Sequence, residues 1–468
     1  MNAASAGPDV RFDSADIRRA LRHAVGGEGH TYTGVATDSR AIRPGDLFVA
    51  LLGERHDGAD FLPDAAARGA RGAIVPEGHE GPDSGLELFE VADPLVALGH
   101  LATDRRVRSG ARVIAVTGSS GKTTVKEMIA CALAPVRAVH RTSGNLNSRV
   151  GLPLSILDAP ADADVWVLEL GASEPGEIAA LTAIANPDDA VVTTVGPAHL
   201  EAFVDESTVL REKLDLVRGA DLAGSVVVGE RPDFLPREAR RIRPDTAVAG
   251  LGADADVRPD RFGMEAERVW FDRAGARFEV PVGGEHNLRD ALIAAGVAEA
   301  LDVPPADAAR GLAAYRPVGM RGALERFGDL TVVADCYNAN PESFTAAIDY
   351  CRTAFPGRRL TAFVGTMLEL GDASGPAHGD IVRRLVEADF EVVAATGEFV
   401  PASVALAGRS NGTRFLTAED AAEAWEPFAE ALRGDEIVLV KGSRGVRLER
   451  VIEWLAVRFG ETRVGGED

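Results

Sequence analysis

"VIAVTGSSGKTTVKEMIACAL", Val113 to Leu133, reads as a short apolar strand, a glycine-rich turn and a helix. That order of elements makes a cradle for phosphate. Gly118 and Gly121 let the backbone curl so that its N–H groups point inward, and the start of the helix adds its dipole. Ser119, Ser120 and Thr124 complete the loop. Lys122 is placed to reach β- and γ-phosphates, and Thr123 offers a hydroxyl to Mg²⁺. A full Walker pattern has another glycine at position 116, where this chain has Val116, so the loop is a shortened variant. The plain alternative is a glycine turn carrying a surface lysine. Agreement of strand, loop and helix favours a nucleotide.

Working outward, strands and helices alternate. "RVIAVTG", "DVWVLELGAS", "DAVVTTVG" and "GSVVVGE" read as strands, with helices at "TTVKEMIACALA", "PGEIAALTAIANP" and "STVLREKLDLVRG". This pattern predicts a mostly parallel sheet covered on both faces. Residues 257–283 read as a β-rich insertion, followed by a long helix, "EHNLRDALIAAGVAEALD". A second βα series begins at "LTVVADCYN" and closes with the strand "DEIVLVKGS". The expected fold class is therefore α/β in three domains. Residues 1–105 form a small mixed α/β unit, 106–316 a central phosphate-loop domain, and 317–468 a Rossmann-like C-terminal domain.

Bulk properties narrow the function. A chain of 468 residues is too long for one ordinary domain. Its net charge of -22 repels nucleic acid backbones, and no dense Lys/Arg block offsets it, so no nucleic acid partner is expected. Three cysteines, Cys131, Cys336 and Cys351, show neither metal spacing nor a disulfide framework, which points to a reducing, cytoplasmic setting. The first residues lack a basic region followed by an apolar core, so no secretion signal is read. No uninterrupted apolar run of membrane-spanning length occurs, and no membrane insertion is expected.

Two further residues fall on the edge used by the phosphate loop. Glu169 ends the apolar run "DVWVLELG", and a carboxylate at the C-terminal end of a parallel strand is well placed for Mg²⁺. His199 follows another strand in "TVGPAHLEAF" and is a candidate metal ligand, although a lone histidine is more often a satisfied structural group. Lys213, on the next helix, reads by itself as a surface cation.

Taken together, "TGSSGKTTVKEM", "ELGASEPGEI", "GPAHLEAF" and "LREKLDLV" resemble the ATP-dependent Mur ligases, which extend the peptide of the peptidoglycan precursor. The resemblance runs from Thr37 to about Glu453. It implies ATP and Mg²⁺, with two metal ions expected, held by Thr123, Glu169, His199 and Lys213. Lys213 matches a lysine that family members carry as a carbamate, an anionic oxygen ligand. "TDSRAIRPGDLFVALLGERHDGADF" is similar to the family's nucleotide-sugar end, which places Asp38, Ser39 and Arg40 near the diphosphate. "RTSGNLNSRVGLP" carries over Thr142, Asn145 and Asn147 on the substrate side. Asn287 is expected at adenine, Arg321 at the ATP phosphates and Asp335 at the ribose. Asn338 and Asn340, in "DCYNANPESF", line the closed site, and His378, Lys441 and Ser443 are candidates near the incoming amino substrate. Where this chain has Ser148, Ser173-Glu174 and Asp290, family members often show Asn, Asn-His and Asn.

The implied reaction is amide formation. A peptide carboxylate attacks the γ-phosphate of ATP, and an amine then displaces phosphate from the acyl-phosphate. Lys122, Lys213, His199 and Asn145 are the expected catalytic residues. "GNLNSRVGLP" and "DCYNANP" favour the dipeptide-adding branch, so the expected partners are UDP-N-acetylmuramoyl-tripeptide and D-alanyl-D-alanine, acted on by a monomer. The alternatives are a Mur ligase adding one amino acid, a folylpolyglutamate synthase and a phosphate-loop NTPase that is no ligase.

Overall fold

The computed structural model describes residues 12–22, 29–53, 56–80, 84–196, 200–203, 205–408 and 412–460. Near the N-terminus, short apolar runs pair into a parallel sheet of four strands, β1 (Val35–Ala36), β2 (Leu47–Val49), β3 (Gly72–Pro76) and β4 (Glu87–Val91). Helix α1 (Pro94–Ser109) leaves this sheet. Asp93 caps it by accepting from Leu95 N and Val96 N, Pro94 stands where no N–H is needed, and Gly110 ends it at φ +66°. The expected boundary between residues 105 and 106 falls inside this helix. Arg106 is buried, donates to Ala185 O and Asn186 O, and pairs with Asp188 at 2.7 Å. The first two units consequently share one core, running from Tyr32, Ile74 and Phe89 to Val113, Leu168 and Val192.

Six parallel strands make the central sheet: β5 (Arg112–Thr117), β6 (Val139–Arg141), β7 (Val165–Glu169), β8 (Asp189–Val192), β9 (Val226–Gly229) and β10 (Ala247–Ala249). Their spatial order is β10-β9-β8-β5-β7-β6. Val113 to Val116 show no exposure, as a strand covered on both faces requires. The short strands β6 and β10 escape the sequence reading, because three residues are too few to show a period. Helices α2 (Lys122–Leu133), α3 (Glu177–Ala185) and α4 (Glu206–Gly219) connect the strands. Since β5 has β8 on one side and β7 on the other, a crevice opens at its C-terminal end. The phosphate loop emerges there.

Antiparallel strands at 261–264, 269–273 and 276–280 form the expected insertion. Helix α5 (Glu285–Ala300) then packs on α2 through Leu288, Leu292 and Met128. The last sheet has strands β11 (Ala323–Phe327), β12 (Leu330–Asp335), β13 (Leu360–Val364), β14 (Phe390–Thr396), β15 (Arg414–Ala418) and β16 (Ile437–Lys441). Only β11 is antiparallel to its neighbour. The order β11-β12-β16-β13-β14-β15 inserts the final strand into the middle. That insertion sets Lys441 opposite Asp335. Helices α6 (Pro341–Ala354) and α7 (Ser374–Glu387) cover the sheet face turned toward the central domain. Among the described residues, no helix is long and apolar enough to cross a membrane.

Candidate active site

Backbone geometry explains the two loop glycines. Gly118 has φ +151°, and a Cβ there would lie 2.0 Å from Thr193 Oγ1. Gly121 opens α2 at φ +80°, with Asp290 Oδ1 only 2.9 Å from where a Cβ would stand. The loop is tied to the strand beside it. Ser119 N donates to Thr194 O at 2.9 Å, Ser119 Oγ to Gly196 O at 3.0 Å, and Ser120 N to Thr194 Oγ1 at 3.2 Å. Lys122 Nζ donates to Gly118 O at 2.8 Å. Burial pushes its pKa down, while the Glu169 carboxylate opposes that shift. Gly118→Ala is expected to lower nucleotide affinity at least tenfold and stability by about 2 kcal/mol, from backbone strain plus the Thr193 clash. Isothermal titration with ADP and a thermal melt measure both.

Glu169 ends β7 fully inside the protein. Its N–H donates to Thr142 Oγ1 at 3.0 Å, and its Oε1 accepts from Asn147 Nδ2 at 2.7 Å. Oε2 is buried with no hydrogen-bond partner among the described residues. Lys126 Nζ lies 3.8 Å from it, beyond hydrogen-bond range. An orphaned carboxylate oxygen in the cleft that Thr123 also lines suits Mg²⁺, which takes one or two protein oxygens and fills its shell with phosphate and water. The described residues hold no cluster of three His, Cys, Asp or Glu that would make an all-protein cage. His199 lies outside the described residues.

Lys213 is 3 % exposed, on α4, with its ammonium 5.9 Å from the Phe203 ring centre. Burial first, and the Lys122 charge second, bring its pKa down to about 7. It is therefore no surface cation. The adjacent Glu212 is committed to the start of α3, accepting from Gly176 N and Ile178 N at 2.7 Å each. Among the described residues, no ion pair or hydrogen bond joins Lys213 to Glu169.

The C-terminal domain closes over the loop. Asn340 caps α6 and also donates from Nδ2 to Ser120 Oγ at 3.1 Å. One residue past Pro341, Glu342 Oε2 accepts from Thr194 Oγ1 at 3.2 Å. Burial raises the Glu342 pKa, against the pull of its hydroxyl partners and of Lys122. Between the domains lies a cleft of about 800 Å³. Gly118 and Thr142 stand behind its wall, whereas Ser119 to Thr124, Asn145, Asn147 and Glu169 line it from the central domain. Asn287, Arg321, Asp335, Asn338, Asn340 and Lys441 line it farther on. Asn287 Nδ2 donates to Gly283 O at 2.7 Å, and Lys441 Nζ donates to Asp335 Oδ2 at 2.6 Å. The Arg321 guanidinium stacks 3.9 Å from the Tyr337 ring centre.

Several expected contacts are placed differently. His378 has no exposure; its Nε2 accepts from Met367 N at 2.9 Å, so Nδ1 carries the proton and donates to Ser374 O at 2.7 Å. Both nitrogens are used internally, and it shapes the loop after β13 instead of touching a ligand. Ser443 likewise is buried and accepts from Leu368 N at 3.0 Å. Thr142 acts through Glu169. Asp38, Ser39 and Arg40 lie on the N-terminal domain, away from this cleft; Ser39 Oγ donates to Asp64 Oδ2 at 2.9 Å, and Arg40 pairs with Asp38 at 2.7 Å. The Arg40 hydrogen bond brings the Asp38 pKa to about 2. Sequence reasoning missed Glu342, Tyr337 and Lys126. An acid in the first turn of a helix reads as an ordinary complement to the dipole, and nothing local shows which surface it meets.

A loop shaped for phosphate, a carboxylate oxygen left open in the same cleft and a further domain resting on the loop define a nucleotide-dependent enzyme whose substrates meet between domains. Three family models match in series: "Mur ligase family, catalytic domain" at 31–106, "Mur ligase middle domain" at 116–298 and "Mur ligase, glutamate ligase domain" at 322–444. The UDP-N-acetylmuramoyl-tripeptide–D-alanyl-D-alanine ligase of Bacillus subtilis (strain 168) is 32 % identical over 428 residues, covering 90 % of this chain and 92 % of that protein. Among solved structures, MurF from Acinetobacter baumannii aligns with a TM-score of 0.87 at 29 % identity, over 95 % of this chain and 98 % of that one. MurF from Thermotoga maritima in complex with ADP aligns at 0.80 and 30 % identity, over 91 % and 97 %. The chain belongs to the Mur ligase family. Asp290 departs from the asparagine often found there, yet burial, reinforced by the Glu342 charge, raises its pKa well above the usual range.

Proposed function

We infer that this chain joins D-alanyl-D-alanine to UDP-N-acetylmuramoyl-tripeptide at the expense of ATP, for peptidoglycan synthesis. The carrying observation is the meeting of Lys122, the open Glu169 oxygen and the C-terminal domain's Asn340 at one crevice. The tripeptide carboxylate attacks the γ-phosphate, giving an acyl-phosphate and ADP. The dipeptide amine then attacks the acyl carbon and phosphate leaves.

Two anions must touch in the first step, so the chain's task is to supply positive charge. Lys122 turns from Gly118 O to the γ-phosphate, and the loop N–H groups hold the β-phosphate. Glu342 draws back from Thr194 to admit the triphosphate, and the C-terminal domain closes again on the nucleotide. Asn145 and Asn147 position the peptide acid from the β7 side, while Arg321 braces the phosphates. Bound Mg²⁺, held by Thr123 and Glu169, would neutralise charge on the transferring phosphoryl group. Closure with water excluded lets the amine reach the acyl-phosphate before hydrolysis does. Asp38, Ser39 and Arg40 hold the sugar-nucleotide end.

Phosphate release with ATP and UDP-N-acetylmuramoyl-tripeptide tests this reading. Strict dependence on D-alanyl-D-alanine is expected. Release driven by a single amino acid, or without any amine, overturns it.

Lys213 has the chemistry that a carbamate needs. A carbamate forms from the neutral amine and CO₂, and a pKa of about 7 supplies that amine near neutral pH. Between this value and the ordinary lysine pKa the unfolded chain binds more protons, so the buried amine's cost to stability fades as pH rises. Uptake of labelled CO₂ at Lys213, followed by trapping and peptide mass analysis, is expected to rise through about pH 7. No label at any pH would leave Lys213 as a neutral amine only.

A further inference from the structure

Helix α2 carries two lysines one turn apart, and only the first belongs to the phosphate loop. Lys126 is 1 % exposed, so it meets neither solvent nor nucleotide directly. Its ammonium donates to Thr142 O at 2.6 Å and lies 3.0 Å from Glu127 Oε1. Glu127 in turn pairs through Oε2 with Arg141 Nε at 2.6 Å. With Glu127 balanced by Arg141, the Lys126 charge is left to face Glu169 Oε2 across 3.8 Å.

That distance is informative. A buried ammonium and carboxylate that serve only structure usually close to a direct hydrogen bond of about 2.7–2.9 Å. Here Thr142 O and Glu127 hold the ammonium back. Asn147 and Thr142 meanwhile fix Glu169 Oε1 and its main-chain N–H. The result is a carboxylate oxygen that feels a positive neighbour yet keeps its lone pairs unshared. We propose that Lys126 is a positioning residue that balances the charge of Glu169 while leaving Oε2 open to the metal. The inference rests on the metal role given to Glu169 above. It explains why the helix following the phosphate loop buries a second lysine: one cation serves the phosphates, and the next serves the carboxylate that completes the metal's shell.

Binding of Mn²⁺ to the ADP complex of the full chain, read by electron paramagnetic resonance, tests it. K126Q keeps a donor for Thr142 O and removes the charge. It should weaken Mn²⁺ about tenfold, the lower end of losses on removing a group behind a metal ligand, with metal-free ADP affinity unchanged. K126R should restore Mn²⁺ binding to within about threefold of the parent, a rescue that a purely space-filling role would not produce. E169Q separates the two readings. If E169Q weakens Mn²⁺ and K126Q does not, the Lys126 proposal is overturned and the metal role of Glu169 stands. If E169Q leaves Mn²⁺ unchanged, both fall. Should K126Q fail to fold, E127Q decides: with Glu127 neutral, Lys126 is drawn onto Oε2, and Mn²⁺ must weaken; unchanged binding overturns the proposal.

Discussion

Lys122→Ala is expected to cut ADP formation about a thousandfold while leaving sugar-nucleotide affinity nearly intact. The loss follows from what the amine does. It is the loop's own cation, held over Gly118 O and ready to turn to the γ-phosphate. Alanine removes the charge that lets a carboxylate approach a triphosphate, and neither buried lysine nearby takes its place: Lys213 is 3 % exposed, and Lys126 is held on Thr142 O between Glu127 and Glu169. Asp38, Ser39 and Arg40 sit on another domain and make their contacts independently of Lys122. The variant should therefore bind UDP-N-acetylmuramoyl-tripeptide like the parent. A coupled assay for ADP and a titration with the sugar-nucleotide measure the two effects separately. Oxygen labelled in the peptide carboxylate should appear in the phosphate released by the parent. Normal turnover in the variant, or unlabelled phosphate from the parent, contradicts the acyl-phosphate route.

Glu169→Gln should lower kcat by about 10²-fold or more and raise the Mg²⁺ concentration for half-maximal rate at least tenfold. The side chain keeps its shape, but one oxygen becomes an NH₂. Asn147 Nδ2 must still find an acceptor, so the amide oxygen turns toward it and the NH₂ takes the place of Oε2. A donor then faces both the metal position and the Lys126 ammonium. Metal-free ADP binding should change little, since the loop's ties to Thr194 and Gly196 do not involve Glu169. Initial rates across an Mg²⁺ series give the answer; an unchanged Mg²⁺ requirement would remove Glu169 from the metal site.

Both variants concern residues legible in the sequence, and the reason is locality. Gly118 and Gly121 adopt backbone angles that suit glycine, and they lie next to the lysine they serve. Glu169 ends an apolar run, so its position at a strand's C-terminal edge needs only the strand itself. His378 and Ser443 were harder. A histidine and a serine in loop-flanking segments look the same whether they face a ligand or brace a turn. Burial and hydrogen bonding assign them to the turn. The position expected as a boundary, 105/106, lies within α1, whose Arg106 is claimed by carbonyls some 80 residues away.

Taken alone, the chain of residues determined the strand–loop–helix unit, the alternation that makes parallel sheets and the kinds of side chain available for phosphate and metal. Those follow from backbone angles and apolar periodicity, which act over a few neighbours. Tertiary structure decided which strands lie side by side, and with them which charges meet. The last strand, β16, slips between β12 and β13 and brings Lys441 to Asp335. Closure of the C-terminal domain sets Asn340 on Ser120, 220 residues earlier, and Glu342 on Thr194, 148 residues earlier. Packing of α2 against β6 and β7 buries Lys126 beside Glu169. Such pairings depend on long-range packing and on exclusion of water, and neither is written in any short stretch of the chain.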